Sequence, residues 1–333
     1  MKILLRSIAI VIFILLFFSP FVQAMDKNHN SYIRVLISER RPTSNNLEKI
    51  KKVTAKTIIS ASTYQGEIEI WKGDDGYYLI NVIDLEEYVK GVVASEVGIH
   101  WPEEALKAQA VLARTYAVAH ILRNRTRNFY DVTSSVFHQV YKGDTESEEV
   151  EKAVNYTKGQ ILKYKGEPIM AFYHACSVGT TEDSKEVFGR EYPYLKPVEV
   201  PFTPSPYTLW EKKISFELLK KALSMNSIND VEIASYTKTG RVKELKFIGD
   251  RNVKIIGAYE LRRLLQWTLL PSTMIKSIRI DSDGVIFEGQ GFGHGVGMCQ
   301  WCAFQMAQDG MNYKQILKYF YPETEIGNLN ENN

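Results

Sequence analysis

Apolar and polar residues alternate along three stretches in the first third of the chain. Residues 31–38 (SYIRVLIS), 67–71 (EIEIW) and 76–83 (GYYLINVI) each read as half-buried strands. The tract between the first two, 39–63, is rich in Lys, Ser, Thr and Asn and reads as loop or edge structure. At Asp84 the period changes. Asp84-Leu-Glu-Glu87 has a capping-box pattern and predicts a helix running to about Val97 and stopping at Gly98. Trp101-Pro-Glu-Glu104 opens a second helix, with proline in the first position and acids in the first turn. Its apolar positions Ala105, Ala108, Leu112, Tyr116 and Ala119 follow the 3.6-residue period.

Further along, strands are predicted near 160–164 and 168–174, and the proline-rich segment 197–206 reads as a connection. Residues 207–287 mix strands (231–236, 242–248, 276–287) with short helices (215–223, 258–266). A glycine-rich loop at 289–297 leads into a helix at about 298–309, and a last short helix covers 313–320. There is no internal repeat. The pattern predicts an α+β fold, read as one large domain over 25–333 with a mixed sub-region at about 200–287.

Composition narrows this picture. At 333 residues and 45% hydrophobic, the chain can bury a large core. Its 41 basic and 39 acidic residues give a formal charge of +2, and Lys2 and Arg6 are the only charges among the first 24 residues. The body is therefore neutral, without the basic excess that nucleic-acid binding requires. The basic start, the apolar run Ile8–Phe18 and the triplet Val22-Gln23-Ala24 describe a secretory signal peptide over 1–24. Left uncleaved, the same segment would be a membrane anchor, the chain's one expected membrane contact. Either way residues 25–333 are expected to work outside the cytoplasm.

Candidate chemistry is sparse. On the first helix Leu85, Val89 and Val92 mark an apolar stripe whose next position is Glu96. Partial desolvation and the negative end of the helix dipole would both raise its pKa, as a general acid needs. A surface glutamate in a fraying turn has the same spacing. Lys107 and Arg114, seven residues apart, are expected on the face opposite the core stripe of the second helix. There they would hold a sugar substituent or a lactyl carboxylate, or form a solvated basic face. Gly289, Gly291, Gly293, Gly295 and Gly297 match neither a dinucleotide fingerprint nor a phosphate loop. They suggest a backbone approached closely by a ligand or another segment. His294 among them would contact substrate or cap the following helix. Cys299-x-x-Cys302 and His174-x-Cys176 offer zinc-type ligands, with a disulfide from Cys176 to one of the other two as the alternative.

Read together, several segments carry a resemblance. They are Glu87-Tyr-Val-Lys-Gly-Val-Val-Ala-Ser-Glu96, Trp101-Pro-Glu-Glu-Ala-Leu-Lys-Ala-Gln-Ala110, Ala113-Arg-Thr-Tyr116 and Gln139-Val-Tyr-Lys-Gly143. Phe172-Tyr-His174, Gly291-Phe-Gly-His-Gly-Val-Gly-Met298 and Tyr319-Phe-Tyr-Pro322 continue the series. Across most of 31–326 the chain resembles the stage II sporulation protein D family (SpoIID/LytB domain). The resemblance implies a lytic transglycosylase that cleaves MurNAc-GlcNAc bonds of peptidoglycan glycan strands stripped of stem peptides. Glu96 would be its catalytic acid and then its base, giving 1,6-anhydro ends without a required cofactor. Lys107, Arg114, His174 and His294 would line the groove, and a cell-wall amidase is the implied partner. Some members bind zinc just before the Gln-Val-Tyr motif. Here only His138 offers such a ligand in 129–138, so that site is expected to be absent. Many members carry serine and glycine where this chain has Cys299 and Cys302. Two alternatives stand beside the lyase: a non-catalytic glycan-binding enhancer of an amidase, and a muramidase using water. For the latter, Glu182, Asp183 or Glu186 would supply a second carboxyl.

Overall fold

The computed structural model describes residues 31–329, apart from 39–41, 44–46, 55–56, 60–61, 99 and 127. The segment read as signal peptide or anchor, 1–24, lies outside the described residues, among which no helix is long and apolar enough to cross a membrane.

Strands β1 (Tyr32–Leu36), β2 (Glu48–Thr54), β5 (Glu67–Gly73), β6 (Gly76–Asp84) and β7 (Val132–Thr133) form a five-stranded sheet in the order β2-β5-β6-β1-β7. The alternation at 67–83 becomes the β5–β6 hairpin, closed where Gly73 faces Gly76. The polar tract 39–63 holds more regular structure than its composition suggests: edge strand β2 and the small pair β3 (Thr57–Ile59) and β4 (Ser62–Tyr64).

Against the sheet lies α1 (Leu85–Glu96), whose N-cap Asp84 accepts from the amides of Glu86 and Glu87. Glu87 pairs with Lys90 at 2.9 Å. The helix ends at Val97, and Gly98 takes the positive φ of 87° that a C-terminal cap needs. The second helix, α2 (Glu103–Asn124), begins one residue later than expected, with Pro102 as its N-cap. Alanines and β-branched residues cover its whole circumference, so it is buried on all sides and forms the axis of the molecule. One core packs Ala110, Ala113 and Ala117 against α1 and the sheet. A second packs Ala108, Leu112 and Tyr116 against Met298, Cys302, Leu317 and Phe320.

Helix α3 (Glu148–Tyr156) went unforeseen in the sequence, although Ser147 caps it and Val150, Ala153 and Val154 bury one face. Strand β8 (Gln160–Tyr164) lies between β9 (Glu167–Pro168) and β18 (Glu325–Asn328). The two-residue strands β10 (Tyr173–His174) and β17 (Met298–Cys299) pair in parallel. The short α4 (Ser184–Phe188), then α7 (Gln300–Gln308) and α8 (Tyr313–Phe320), complete this half.

Residues 210–290 build their own core around Leu219, Leu245, Phe247, Leu261 and Phe287. Strands β12 (Asp230–Tyr236), β13 (Val242–Ile248) and β14 (Val253–Gly257) form one sheet, and β11 (Trp210–Ser215), β16 (Gly284–Gln290) and β15 (Met274–Ile280) another. The stretch 276–287, expected as one strand, is a hairpin that turns at Ser282 and Asp283. Helices α5 (Phe216–Leu223) and α6 (Ala258–Leu264) lie where predicted. The fold is α+β.

Candidate active site

Glu96 sits in the last turn of α1, continuing the buried stripe of Leu85, Val89 and Val92. Its half-buried side chain reaches segment 136–140, where Oε1 accepts from the Val140 amide at 2.7 Å. The side chains of Tyr173 and Gln300 hydrogen-bond to the same carboxyl. These donors favour the anion, yet burial outweighs them and pushes the group up to about 7. The apolar stripe thus has the effect its spacing predicts.

The donors are themselves held. Gln139, fully buried, accepts from the Tyr88 hydroxyl at 3.2 Å and donates to the Tyr173 hydroxyl at 3.1 Å. With its oxygen so engaged, Tyr173 keeps its own proton for Glu96. Gln300 donates to Gln109 on α2 at 3.3 Å, which ties the start of α7 to the helix pair. The Gln-Val-Tyr segment therefore supplies a backbone amide through Val140 and a positioning amide side chain through Gln139.

Around Glu96 opens a cleft of about 330 Å³. Tyr207, Tyr259, Trp267 and Phe292 give it aromatic walls, and Arg262, His138, His174 and His294 supply its basic groups. A smaller recess of about 120 Å³ continues past Phe137 and Phe188. Glu96 is the sole carboxyl among the residues lining either space. A larger trough, about 910 Å³, lies between α8 and β18, and its lining contains no carboxyl, histidine or cysteine. Chemistry, and not size, singles out the cleft.

Both predicted histidines line it, and both have their nitrogens engaged. Arg241 Nη2 donates to Ser177 Oγ at 2.8 Å, so the Ser177 hydroxyl proton goes to His174 Nε2 at 2.6 Å. His174 Nδ1 then carries the proton and donates to the Val296 carbonyl at 3.2 Å. His294 Nδ1 accepts from the Val296 amide at 3.0 Å, and the ring also hydrogen-bonds to the Tyr173 backbone. Burial first, with Arg262 and Arg241 adding to it, pushes His294 down to about 3. His174 is likewise driven well below its ordinary value, by burial and then by His294 and Arg241. They are neutral wall residues near pH 7. His294 caps no helix, since Cys299 is the N-cap of α7.

The glycine alternation is met by other segments of the chain. A Cβ at Gly291 would strike the Cys176 carbonyl, at Gly293 His174, at Gly295 the Arg241 guanidinium and at Gly297 the Phe172 carbonyl. All four have positive φ, between 72° and 111°. The loop is thus pressed against 172–177 and Arg241, and it fixes that strip beside Glu96.

Three sets of expected residues lie elsewhere. Lys107 and Arg114 are buried and do not line the cleft. Lys107 pairs with Glu103 and Glu104 at 2.6 and 2.8 Å, and Arg114 with Glu86 at 2.6 Å. The all-buried α2 has no solvent face for them. Of the proposed second acids, Glu182 accepts from Thr237 and Thr239 at 2.7 and 2.6 Å, and Asp183 caps α4. Glu186 pairs with Lys243 at 2.9 Å. None reaches the cleft. The cysteine pairing also differs: Cys299 bonds to Cys302, and Cys176 is a buried free thiol. Three residues, just under one helical turn, bring the N-cap and N3 positions to a Cα–Cα distance of 5.2 Å, within disulfide range. With two sulfurs in a disulfide and both His174 nitrogens engaged, this donor set does not fit zinc. No group of three or more metal-type ligands occurs among the described residues.

Comparison with known proteins bears on the same segments. The family profile described as Stage II sporulation protein matches residues 73–164, which include α1, α2 and the Gln-Val-Tyr segment. The Stage II sporulation protein D of Bacillus amyloliquefaciens is 30% identical over 263 residues, covering 73% of this chain and 74% of that protein. The chain belongs to the stage II sporulation protein D family. Also similar is an uncharacterised protein of Brachyspira hyodysenteriae, 37% identical over 276 residues, 81% of this chain and 74% of the relative. The amidase enhancer of Bacillus subtilis is 30% identical over 289 residues, 72% of this chain and 40% of its own length. In this family member a second profile, a domain of unknown function, matches 208–297 and so takes in Arg262, Trp267 and His294.

Proposed function

We propose that the protein is a peptidoglycan lytic transglycosylase acting outside the cytoplasm, with Glu96 as its general acid and then its base. One observation carries the reading: a single carboxyl, raised to about 7 by burial, in a cleft whose lining offers no second one. Two-carboxylate hydrolysis needs a partner acid at about 5 to 9.5 Å, and Glu182, Asp183 and Glu186 are all engaged elsewhere. One carboxyl suffices when the sugar supplies its own nucleophile.

In that chemistry Glu96, protonated near neutral pH, gives its proton to the oxygen bridging MurNAc and GlcNAc. As the bond to that oxygen breaks, positive charge spreads over the muramic ring oxygen and C1. The carboxylate left behind is the anion that Val140 N–H, Tyr173 and Gln300 hydrogen-bond. It then removes the proton of the C6 hydroxyl, which closes on C1. The aromatic walls suit the apolar faces of sugar rings, and the neutral histidines add no competing acid or base.

The name of the Bacillus subtilis relative supports a second reading, a glycan-binding enhancer of a cell-wall amidase. Purified protein and Glu96→Gln, incubated with peptide-free glycan strands, separate the two. Anhydro-ended fragments from the wild type alone, identified by mass, are the expected result. Reducing ends would mean hydrolysis. Absence of cleavage, with an amidase stimulated equally by both proteins, would sink the enzymatic reading.

A further inference from the structure

Four cations are buried among the described residues, Lys107, Arg114, Arg241 and Arg262, and two of them meet an acid. Arg114 has Glu86 and Lys107 has Glu103 and Glu104. Arg262 and Arg241 have none: among the described residues no carboxylate lies within ion-pair distance of either. Arg262 lines the cleft, and Arg241 lies behind it, hydrogen-bonded to the Ser177 that holds His174.

Arg262, 3% exposed, projects from α6 into the cleft wall. Its Nε donates to the carbonyls of Leu270 and Pro271 at 2.7 and 3.1 Å, and Nη2 to that of Trp267 at 3.4 Å. The guanidinium lies 4.8 Å from the centre of the Trp267 ring. Among the described residues Nη1 has no hydrogen-bond partner. Backbone carbonyls orient this group, but they leave its charge in place. Arg241 lies behind the wall, with Nε and Nη1 buried and unpartnered. Burial lowers Arg262 to about 10, so it remains a cation near neutral pH. Glu182 attracts Arg241 at longer range, but no carboxylate acts in that way on Arg262, which shares the cleft lining with one acid, Glu96. A buried charge without a counter-ion is costly, and at a ligand site the missing anion belongs to the ligand.

On the glycan reading, the anion available once stem peptides are gone is the lactyl carboxylate of muramic acid. In a peptide-bearing strand that same carboxyl is a neutral amide. We propose that Arg262 is the specificity-determining residue of the cleft, its Nη1 edge binding the free carboxylate of a muramic acid. This rests on the glycan-cleaving reading for its ligand, but not on catalysis. It transfers to Arg262 the role that spacing had suggested for Lys107 and Arg114.

Binding, read by tryptophan fluorescence, tests it in a Glu96→Gln background that cannot turn substrate over. The two ligands are peptide-free strands and the same strands after carbodiimide coupling to methylamine. The free carboxylate should bind about tenfold tighter, the scale of a charge-assisted hydrogen bond. That ratio should fall to about one in Arg262→Gln and be partly kept in Arg262→Lys. Equal binding of both strands with Arg262 present overturns the assignment, as does no binding of either. Discrimination that survives Arg262→Gln overturns it too. The ligand-side comparison needs no folded Arg262 variant. Wild type that cleaves both strands equally refutes Arg262 alone. Wild type that binds selectively but never cleaves refutes the lyase and leaves the selectivity standing.

Discussion

Exchange of Glu96 for glutamine removes a titrating group but keeps the oxygen that accepts from Val140. Burial raises this carboxyl from 4.5 to about 7, so the folded protein holds the proton more tightly than the unfolded chain. The resulting stabilisation is complete below pH 4.5 and is lost as pH rises through about 7. Above that, the wild type keeps a carboxylate in a half-buried place. The shift amounts to about 3 kcal/mol, at about 1.4 kcal/mol per pKa unit. Glutamine has no such penalty. Relative to wild type, Glu96→Gln should therefore gain about 3 kcal/mol between roughly pH 4 and pH 8.5. Buried histidines work in the opposite direction: His294, lowered to about 3, loses stability as pH falls from 6.5 toward 3. Both proteins carry them, so the difference isolates position 96. Urea titrations at stepped pH, followed by fluorescence, give this difference directly. A gap that does not change with pH, or one that shrinks as pH rises, would refute burial as the controlling effect.

Tyr173→Phe removes a hydrogen bond that lowers Glu96. Its carboxyl should titrate higher, moving the alkaline limb of a cleavage pH profile upward. Gly297→Ala places a Cβ against the Phe172 carbonyl at a φ of 72°. Thermal unfolding should show a loss of at least about 2 kcal/mol. Arg114→Met leaves Glu86 without its buried partner and should cost about 3–5 kcal/mol of stability in denaturant titrations, with glycan binding per folded molecule unchanged. Thiol titration should find no reactive cysteine in the native protein and one per chain, Cys176, after denaturation.

The helices were the most legible part of the sequence. Capping at Asp84, the stop at Gly98 and the span 313–320 all follow from local chemistry that the fold keeps. Strand β2 was harder to see because an edge strand carries charges that guard it: EKIKKVT has no apolar face to read. The 276–287 hairpin was hidden by apolar residues running close up to both sides of a polar turn. Within the site, Glu96 was visible from its stripe, and the histidines from their motifs. Lys107 and Arg114 misled because the alanine-rich α2 buries both its faces, which spacing alone does not reveal. Arg262 gave no signal at all. The role proposed for it depends on the carbonyls of Trp267, Leu270 and Pro271 arriving beside it and on no acid among the described residues doing so, a matter of tertiary placement.

The short pairing of β10 with β17 joins Tyr173 to Met298 and His174 to Cys299. Contacts so distant in sequence close large loops, whose entropy cost must be met before the contact is gained. Glu96 is placed by local helix contacts, whereas Tyr173 and Gln300 are brought to it across this seam between distant segments. A chain halted or clipped before the glycine loop docks would keep the acidic side chain with no cleft around it. The cleft is therefore a property of the finished molecule, and an incomplete one has no smaller version of it.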